Sequence, residues 1–297
     1  MKRILIAIAT LLCCASPSVS DAPKRPRILG IAGVRLYSTD LSAAHTFYYD
    51  QVLGSKGTLG DEPVGKAPHP LVIILPSSQI LGLSKPVGAP PSNLLAEITF
   101  ATDDLEKMKK YLSAHHLPIE KARAPRKDYF SVLDPEGHRI AFTEGPFSST
   151  GYNMRIIHAG FVVHDRAAED RFYKDILGFH VYWHGGRKDD ETSWVDMQVP
   201  DGTDWIEYML NVSPNADHHT LGVMNHISLG VPDIKAAREQ LIENGWKPGE
   251  DPKIGRGGKW QLNLFDPDDT RVELMEFTPA QKPCCSEYTG PHPGPKQ

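Results

Sequence analysis

Alternating apolar and polar residues recur along the chain, and the clearest runs are each followed by a helical pattern. The stretch IIHAGFVVH (156–164) alternates as a half-buried strand does, and DRAAEDRFYKDILGF from Asp165 then places apolar residues at helical spacing up to a Leu-Gly stop. IAGVRLYST (31–39) followed by DLSAAHTFYYDQVLG from Asp40 repeats this order. The pattern therefore predicts the same strand and helix at two places in the chain.

A second pair of segments repeats in the same way. NHISLGVPDIKAAREQLIENG (225–245) is similar to AEITFATDDLEKMKKYLSAHH (96–116). Each leads to an Asp-Pro turn and a further strand, in DPDDTRVELMEF from Asp266 and DPEGHRIAFTEG from Asp134. The chain thus contains four units, each with a strand, a helix and further strands. Because one such unit cannot cover its own sheet, we expect the units to pair around shared cores.

The predicted fold class is α+β, with the four units paired into two modules that have strongly curved, mixed sheets. The first module spans residues 28–146 and the second spans residues 154–279. A linker that contains Ser, Thr and Gly joins them at 147–153. The Pro/Gly-rich segment 280–297 is predicted to be a disordered tail.

Composition and the N-terminal segment restrict the location and the partners. The 297 residues are 40% hydrophobic with 25 Gly and 25 Pro, as expected for many short strands. The mixed charges sum to −5, so the chain lacks the basic surface of a nucleic-acid-binding protein. MKRILIAIATLLCCASPSVS (1–20) has the basic start, short apolar run and small residues of a signal peptide. We expect a secreted or periplasmic protein with no membrane span after cleavage.

Two cysteines remain after removal of the predicted signal peptide, Cys284 and Cys285. Adjacent Cα atoms lie about 3.8 Å apart, which is closer than in most disulfides, so a bond between these two would be strained. We therefore expect their thiols to be incidental or to form intermolecular bonds.

Two histidines occupy the same position in two different units. His158 lies seven residues before Asp165, and His226 lies seven residues before Asp233. Each histidine falls in a predicted strand, where an inward-facing imidazole needs a partner. Two matched histidines favour a ligand-binding role over that of isolated core residues.

The last strands of the same two units each carry an acid among apolar neighbours, Glu207 in DWIEYMLN and Glu273 in TRVELMEF. Two imidazoles and two carboxylates on facing strands predict a divalent metal site, with His158, Glu207, His226 and Glu273 as ligands. Neutral imidazole and carboxylate suit Zn, Fe(II), Ni, Co or Mn, and a six-coordinate ion would keep two positions for water or substrate.

The first module offers an internal comparison. Its matching positions are Gly33, Leu81, Glu97 and Ala141. Of these side chains only Glu97 could bind a metal. We therefore expect the first module to lack a metal site and to be structural, or to shape the mouth of the cavity in the second module.

The strings HAGFVVHDRAAEDRFYKDILGF, WIEYML, NHISLGVPDIKAAREQLIENG and DPDDTRVELMEF resemble the vicinal oxygen chelate superfamily. This superfamily includes glyoxalase I, bleomycin and fosfomycin resistance proteins, methylmalonyl-CoA epimerase and extradiol dioxygenases. The resemblance covers nearly all of the chain after the signal peptide. It implies paired βαβββ units that form a cupped sheet around a metal ion, and it places His158, Glu207, His226 and Glu273 on the glyoxalase-type ligand set.

The resemblance leaves two enzymatic hypotheses open. The first is glyoxalase-like or epimerase-like lyase or isomerase chemistry, in which the ion binds two neighbouring oxygens of a small substrate and Glu273 or Glu207 moves a proton. The second is Fe(II)-dependent extradiol ring cleavage with His158, His226 and Glu273 as ligands. Against the second, the sequence has Asn263 where that family carries a Tyr, and it lacks the His that normally precedes it.

A third hypothesis is a non-catalytic protein that binds a small ligand, as the bleomycin-sequestering members do. The four ligand-type residues count against it. Four units in one chain can complete the site without a partner, so the sequence allows a monomer or a homodimer.

Two further features are less specific. Arg256 and Lys259 in GRGGKW could bind a substrate carboxylate, although a hairpin loop is the more common use of such a stretch. His218 and His219 precede His226 and could serve a ring-cleaving enzyme, or lie in a surface loop.

Overall fold

The computed structural model describes residues 23–60, 70–121, 127–144 and 153–294. The predicted signal peptide and all of the predicted linker except Asn153 lie outside these ranges, so both remain predictions. Within the described residues, no helix has the length and apolar character needed to cross a membrane.

In its described residues, the first module contains one seven-stranded sheet, in the order β2-β3-β4-β1-β5-β7-β6, and two helices. The strands are β1 (Ile28–Tyr37), β2 (Thr58–Leu59), β3 (Leu71–Ile74), β4 (Ile80–Ser84), β5 (Leu95–Thr102), β6 (Tyr129–Leu133) and β7 (Arg139–Thr143). The helices are α1 (Leu41–His45), which continues as a wider π-helical segment (Thr46–Val52), and α2 (Leu105–Ala114).

The second module contains one eight-stranded sheet, in the order β13-β14-β15-β12-β8-β11-β10-β9, and three helices. The strands are β8 (Arg155–Val162), β9 (His180–Gly185), β10 (Trp194–Gln198), β11 (Trp205–Met209), β12 (His226–Val231), β13 (Lys253–Ile254), β14 (Trp260–Phe265) and β15 (Arg271–Glu276). The helices are α3 (Arg166–Asp170) with its π-helical continuation (Arg171–Ile176), α4 (His218–Met224) and α5 (Ile234–Glu243).

The two sheets share one topology, which confirms the predicted fold class. In the second sheet β8 is antiparallel to β12, while β11 runs parallel to β8 and β15 runs parallel to β12. In the first sheet β1, β5, β4 and β7 have the same relations. Each sheet therefore joins two repeated units along its central antiparallel strand pair.

The four aspartates that mark the repeats have a shared structural role. The side chain of each accepts hydrogen bonds from backbone N–H groups in the first turn of the helix that follows. These N–H groups have no partner inside the helix, so an aspartate at this point fixes where the helix begins. The residues are Asp40, Asp104, Asp165 and Asp233.

The modules pack against each other through a pair of equivalent hydrogen bonds. The hydroxyl of Tyr48, in the first module, donates to the Asp266 carboxylate in the turn before β15 over 2.8 Å. The hydroxyl of Tyr173, in the second module, donates to Asp134 in the turn before β7 over 3.0 Å. All four residues are 5% exposed or less. These buried bonds relate the two repeated halves by an approximate twofold axis.

A buried amide joins the central strands of the two modules. The Gln79 side chain donates to the backbone oxygens of Ile31 in β1 and Ile156 in β8, over 2.7 and 2.8 Å. Its oxygen accepts the Ile156 N–H and the Ser77 hydroxyl, each over 2.8 Å. Because every polar atom of this amide is used, its burial is well compensated.

Residues 280–294 do not follow the prediction of a disordered tail. The N–H of Thr289 donates to the carbonyl of Tyr182, and Gln198 donates to the carbonyl of Pro291. Tyr288 packs against a buried aromatic cluster that includes Tyr182 and Trp205. Composition alone missed this segment, because its contacts are made with distant strands rather than within the segment.

Cys284 and Cys285 are joined by a disulfide bond in the structure. This corrects the expectation that adjacent cysteines would stay unpaired with each other. The N–H of Cys284 donates to the carbonyl of Arg256, and its carbonyl accepts from the Trp183 indole. The disulfide therefore lies in a segment that hydrogen bonds hold against the second module, one to Arg256 and one from Trp183.

We predict that Tyr48→Phe lowers the free energy of unfolding by about 1–3 kcal/mol, because the buried Asp266 carboxylate loses a hydrogen-bond donor. The midpoint of urea denaturation measures the change. Tyr49→Phe, one residue further along the same segment, is the control and should change stability by less than about 0.5 kcal/mol. If both substitutions lower the stability equally, the hydrogen bond between Tyr48 and Asp266 does not stabilise the contact between the modules.

Candidate metal centre

The four predicted ligand residues lie on one face of the second sheet, on the neighbouring strands β11, β8, β12 and β15. Gly160 of β8 pairs with His226 on one side and with Glu207 on the other. His158 and Glu273 flank the same residue of β12. Because side chains alternate between the faces of a sheet, this register directs all four side chains to the same side.

Their donor atoms converge. The Nε2 atoms of His158 and His226 are 3.1 Å apart, and Oε2 of Glu207 lies 3.2 Å from the latter and 3.8 Å from the former. Oε2 of Glu273 lies 3.3 Å from Nε2 of His158. Ligand atoms of His158, Glu207 and His226 all lie within 4.8 Å of one another. The structure thus brings together every residue that the sequence predicted for the site.

This donor set fits a divalent ion. Neighbouring ligand atoms that bind one ion at about 2.1 Å lie about 3.0–3.4 Å apart, and most of the separations here are in that range. Two imidazole nitrogens and carboxylate oxygens are ligands for Zn, Mn, Fe, Co and Ni. Nδ1 of His226 lies 3.2 Å from the carbonyl of Met224, a contact that orients the ring so that Nε2 points at the cluster.

Burial shifts the titration of all four groups. Removal from water lowers the pKa of His158 and His226 well below the usual value, and nearby cationic groups add to this. Burial also raises the pKa of Glu207 and of Glu273 to about 7. The imidazoles are therefore neutral and cannot serve as the positive partners of the carboxylates. A cation at their centre would supply the missing charge.

A glycine makes room for the second histidine. A Cβ atom on Gly160 would lie 2.1 Å from Cε1 of His226 and 2.5 Å from its Nδ1. No side chain fits at that distance, so the His226 ring can lie over β8 only while residue 160 is glycine.

Arg271 also reaches the cluster, and the sequence analysis did not single it out. Its Nη2 donates to Nε2 of His226 over 2.7 Å, and its Nε has no hydrogen-bond partner among the described residues. The lone pair that accepts this bond is the one that an ion would use. Arg271 precedes Glu273 by two residues and so shares its face, a signal that strand periodicity could have revealed.

Two more buried charged residues line the same face. Asp196 of β10 pairs with Glu207 in register, and its pKa is raised well above the usual value by burial and by the Glu207 charge. Lys259 is 2% exposed, with Nζ 4.6 Å above the Trp205 ring and 5.2 Å from the centre of the Tyr288 ring. Burial lowers the pKa of Lys259 to about 7. Lys259 thus lies in the interior, at the end of the loop of the β13–β14 hairpin that the sequence favoured for this stretch.

The other weakly interpreted residues lie elsewhere. His218 and His219 are in helix α4, where they hydrogen-bond to Asp268 and Asp269 in the turn before β15. Arg256 forms an ion pair with an exposed aspartate at position 189. Neither histidine contacts the cluster in the described hydrogen bonds, so neither is placed for proton transfer there.

In the first module, the positions that match the four predicted metal ligands hold other residues. Glu97 is 4% exposed and accepts hydrogen bonds from the hydroxyls of Tyr129 and Thr99. Pairing confirms that Gly33 and Ala141 match His158 and Glu273. The match of Leu81 with Glu207 is wrong, because Gly82 occupies the position of Glu207 in the first sheet.

The error in that match is a shift of one residue. Gly82 pairs with Arg35 in β1 as Glu207 pairs with Gly160 in β8. Leu81 points to the opposite face and is 1% exposed in the core. A slip of one residue along a strand exchanges the two faces, and the sequence offered no turn that fixed this register.

Comparison with known proteins agrees with this architecture. Residues 155–274 match the model of the Glyoxalase/Bleomycin resistance protein/Dioxygenase superfamily. No curated protein sequence is significantly similar to the chain.

Solved structures with a similar fold include a variant of homoprotocatechuate 2,3-dioxygenase from Brevibacterium fuscum. It is 20% identical with a TM-score of 0.64, and the match covers 91% of this chain and 75% of that one. The native homoprotocatechuate 2,3-dioxygenase from Arthrobacter globiformis is 17% identical with a TM-score of 0.63, over 86% and 82% of the two chains. At these identities the likeness concerns the fold.

We predict that Gly160→Ala lowers the affinity of the protein for Zn²⁺ at least about tenfold, because the added methyl group displaces the His226 ring. Isothermal titration of the purified protein with Zn²⁺ measures the affinity. Gly249→Ala, at a glycine with no atom within 4 Å of the added Cβ, is the control. Unchanged Zn²⁺ binding by Gly160→Ala would show that His226 does not hold an ion in this position.

Proposed function

We propose that the chain is a divalent-metal-dependent enzyme of glyoxalase-like or epimerase-like type. The premise is that residues 155–274 match the model of the Glyoxalase/Bleomycin resistance protein/Dioxygenase superfamily. The substrate is a small molecule that presents two neighbouring oxygens to the ion. The reaction is proton transfer next to a carbonyl group, as in isomerases and lyases of this superfamily.

The observation that carries this proposal is the position of Glu207. Its carboxylate completes the compact group with His158 and His226, and Glu273 stands beside His158 as a further carboxylate. A ring-cleavage site would use Glu273 as its carboxylate ligand and leave Glu207 without a role. Four converging groups therefore support the glyoxalase-type ligand set better than a triad.

In this proposal His158, Glu207, His226 and Glu273 would hold the ion, which when bound would draw electron density from the substrate oxygens. Glu273 then accepts the proton from the carbon next to the carbonyl and returns it to the neighbouring carbon. Since its carboxylate is buried and only 3% of the residue is exposed, bulk water does not compete for that proton.

Two further side chains have supporting roles in the proposal. Arg271 must leave Nε2 of His226 when the ion binds, and its guanidinium is then free to donate to the substrate oxygen on which negative charge develops. The Trp205 ring, whose centre lies 4.7 Å from that of the His158 ring, excludes water from one side of the site.

Extradiol ring cleavage is the second candidate. The observation that favours it is the similarity of nearly the whole four-unit chain to the homoprotocatechuate 2,3-dioxygenases. In this alternative, Fe(II) would be held by His158, His226 and Glu273. Asn263 binds Glu250 through its side chain and its N–H, so it cannot take the place of a proton-donating tyrosine.

The place of the reaction is part of the proposal. The signal peptide predicted over residues 1–20 would carry the mature protein out of the cytoplasm. The substrate would then be a dicarbonyl adduct or hydroxy acid that is present outside the cytoplasm.

We predict that the metal-loaded protein exchanges a substrate C–H for deuterium in D₂O with a panel of small α-hydroxy ketones and thiol adducts of 1,2-dicarbonyls. Proton NMR follows the loss of signal. Glu273→Gln should slow this exchange at least about 100-fold while Zn²⁺ remains bound, because the base is lost. Glu276→Gln, on the opposite face of the same strand, is the control. Exchange that persists in Glu273→Gln would remove Glu273 from the reaction.

Glu207→Gln separates the two candidate reactions. We expect it to weaken metal binding and abolish C–H exchange, because an amide is a poorer ligand than a carboxylate. Oxygen uptake by the Fe(II)-loaded wild type, tested with a panel of catechols, should stay at background. Catechol-dependent oxygen uptake that Glu207→Gln retains and Glu273→Gln loses would instead establish the dioxygenase.

A further inference from the structure

A second group of ligand-type side chains lies at the boundary between the two modules. Asp134 and His138 come from the turn before β7 in the first module, and Glu169 comes from α3 in the second. One ligand atom from each lies within 4.8 Å of the others. Glu169 is fully buried, Asp134 is 5% exposed, and the His138 side chain is 15% exposed.

The approximate twofold axis provides a comparison for this group. At the equivalent point Asp266 accepts from Tyr48, as Asp134 accepts from Tyr173. In both turns the first carboxylate oxygen accepts the backbone N–H groups two and four residues later. The scaffold of the turn is therefore the same at both ends of the interface.

The two ends differ in the residues beside this scaffold. Thr270 stands where His138 stands, four residues after the aspartate, and Ala44 stands where Glu169 stands, four residues after the helix-capping aspartate. Neither an imidazole nor a second carboxylate is needed to build the turn or to pack the modules. Burying both at one end adds a cost that the other end avoids.

Two buried oxygens at this end have no partner among the described residues. Oε1 of Glu169 accepts the N–H of Glu136, but its Oε2 makes no hydrogen bond within the described structure. The fully buried Tyr208 hydroxyl is likewise without a partner in the described residues. The centre of the Tyr208 ring lies 6.0 Å from that of Tyr173, whose hydroxyl donates to Asp134, so this side chain lies near the group.

We propose that Asp134, His138 and Glu169 form a second divalent-cation site, separate from the first centre, that links the two modules. Two carboxylates and one imidazole favour a transition-metal ion such as Zn²⁺ or Mn²⁺ over Ca²⁺, which prefers ligands that are all oxygen. Burial raises the pKa of the Glu169 carboxyl to about 9, so the carboxyl would lose its proton when the ion binds. The unpartnered Oε2 of Glu169 and one oxygen of Asp134 would then supply negative charge, and His138 completes the set.

The ion would replace one existing hydrogen bond. Nδ1 of His138 lies 2.8 Å from Oδ2 of Asp134, and this oxygen also accepts from the Tyr173 hydroxyl. When the ion binds, the imidazole turns a lone pair toward it in place of the N–H, and the Tyr173 bond is kept. The partly exposed His138 ring offers a route of entry from solvent.

The test is the number of Zn²⁺ ions bound per chain, measured by equilibrium dialysis followed by elemental analysis. We expect two ions for the wild type and one for Glu169→Ala and His138→Thr, which copy the residues found at the equivalent end and should therefore fold. His226→Ala should lose only the ion of the first centre. Glu239→Ala, at an exposed acid of α5, should bind two ions and serves as the control.

Thermal unfolding gives a second readout that does not depend on activity. Zn²⁺ should raise the melting temperature of His226→Ala, and it should not raise that of the Glu169→Ala/His226→Ala double variant. If the wild type binds one ion and only His226→Ala removes it, the second site is wrong and the first stands. If the wild type binds one ion and only Glu169→Ala removes it, the second site stands and the first is wrong.

Discussion

The structure depends on the burial of two neutral imidazoles beside two carboxylates on one face of a curved sheet. His158 and His226 meet because β8 and β12 are antiparallel neighbours and because Gly160 has no side chain. Burial raises the pKa of both glutamates to about 7 and keeps the histidines neutral, and the positive charge of Arg271 only partly offsets this effect on the glutamates. A divalent ion at the centre of these four side chains would resolve this conflict.

The sequence predicted much of the fold and all four residues of the cluster, because the chain repeats itself. The aspartates that begin the helices served as fixed points, and as N-caps they have to occur at those points. Strand register was less well determined, which is why Leu81 was matched in place of Gly82. Strand alternation places Arg271 and Asp196 on the site face as well, but neither residue was predicted for the site.

Contacts between distant segments could not be read from local patterns. The segment 280–294 has a composition typical of disorder, yet it packs on strands that lie far away in the sequence. The hairpin predicted for the Gly-rich stretch is present between β13 and β14, but no local signal shows that its Lys259 is buried. Its burial depends on Tyr288 from the same C-terminal segment, and no local signal shows that the two meet.

The repeated halves show which features the fold needs and which belong to chemistry. Helix caps, the tyrosine-to-aspartate bonds and the strand order are present in both halves. The paired histidines occur in the second module alone, and the group with Glu169 occurs at one end of the interface alone, as far as the described residues show. The scaffold has therefore been kept while the polar residues on it have diverged.

The most direct test of the central claim is an anomalous difference map from a crystal of the Zn²⁺-loaded protein, recorded at the zinc absorption edge. We expect a peak about 2.1 Å from Nε2 of His158, Nε2 of His226 and an oxygen of Glu207. If no peak lies between these residues and Arg271 still donates to His226, the cluster is not a metal centre, and the proposed chemistry is wrong.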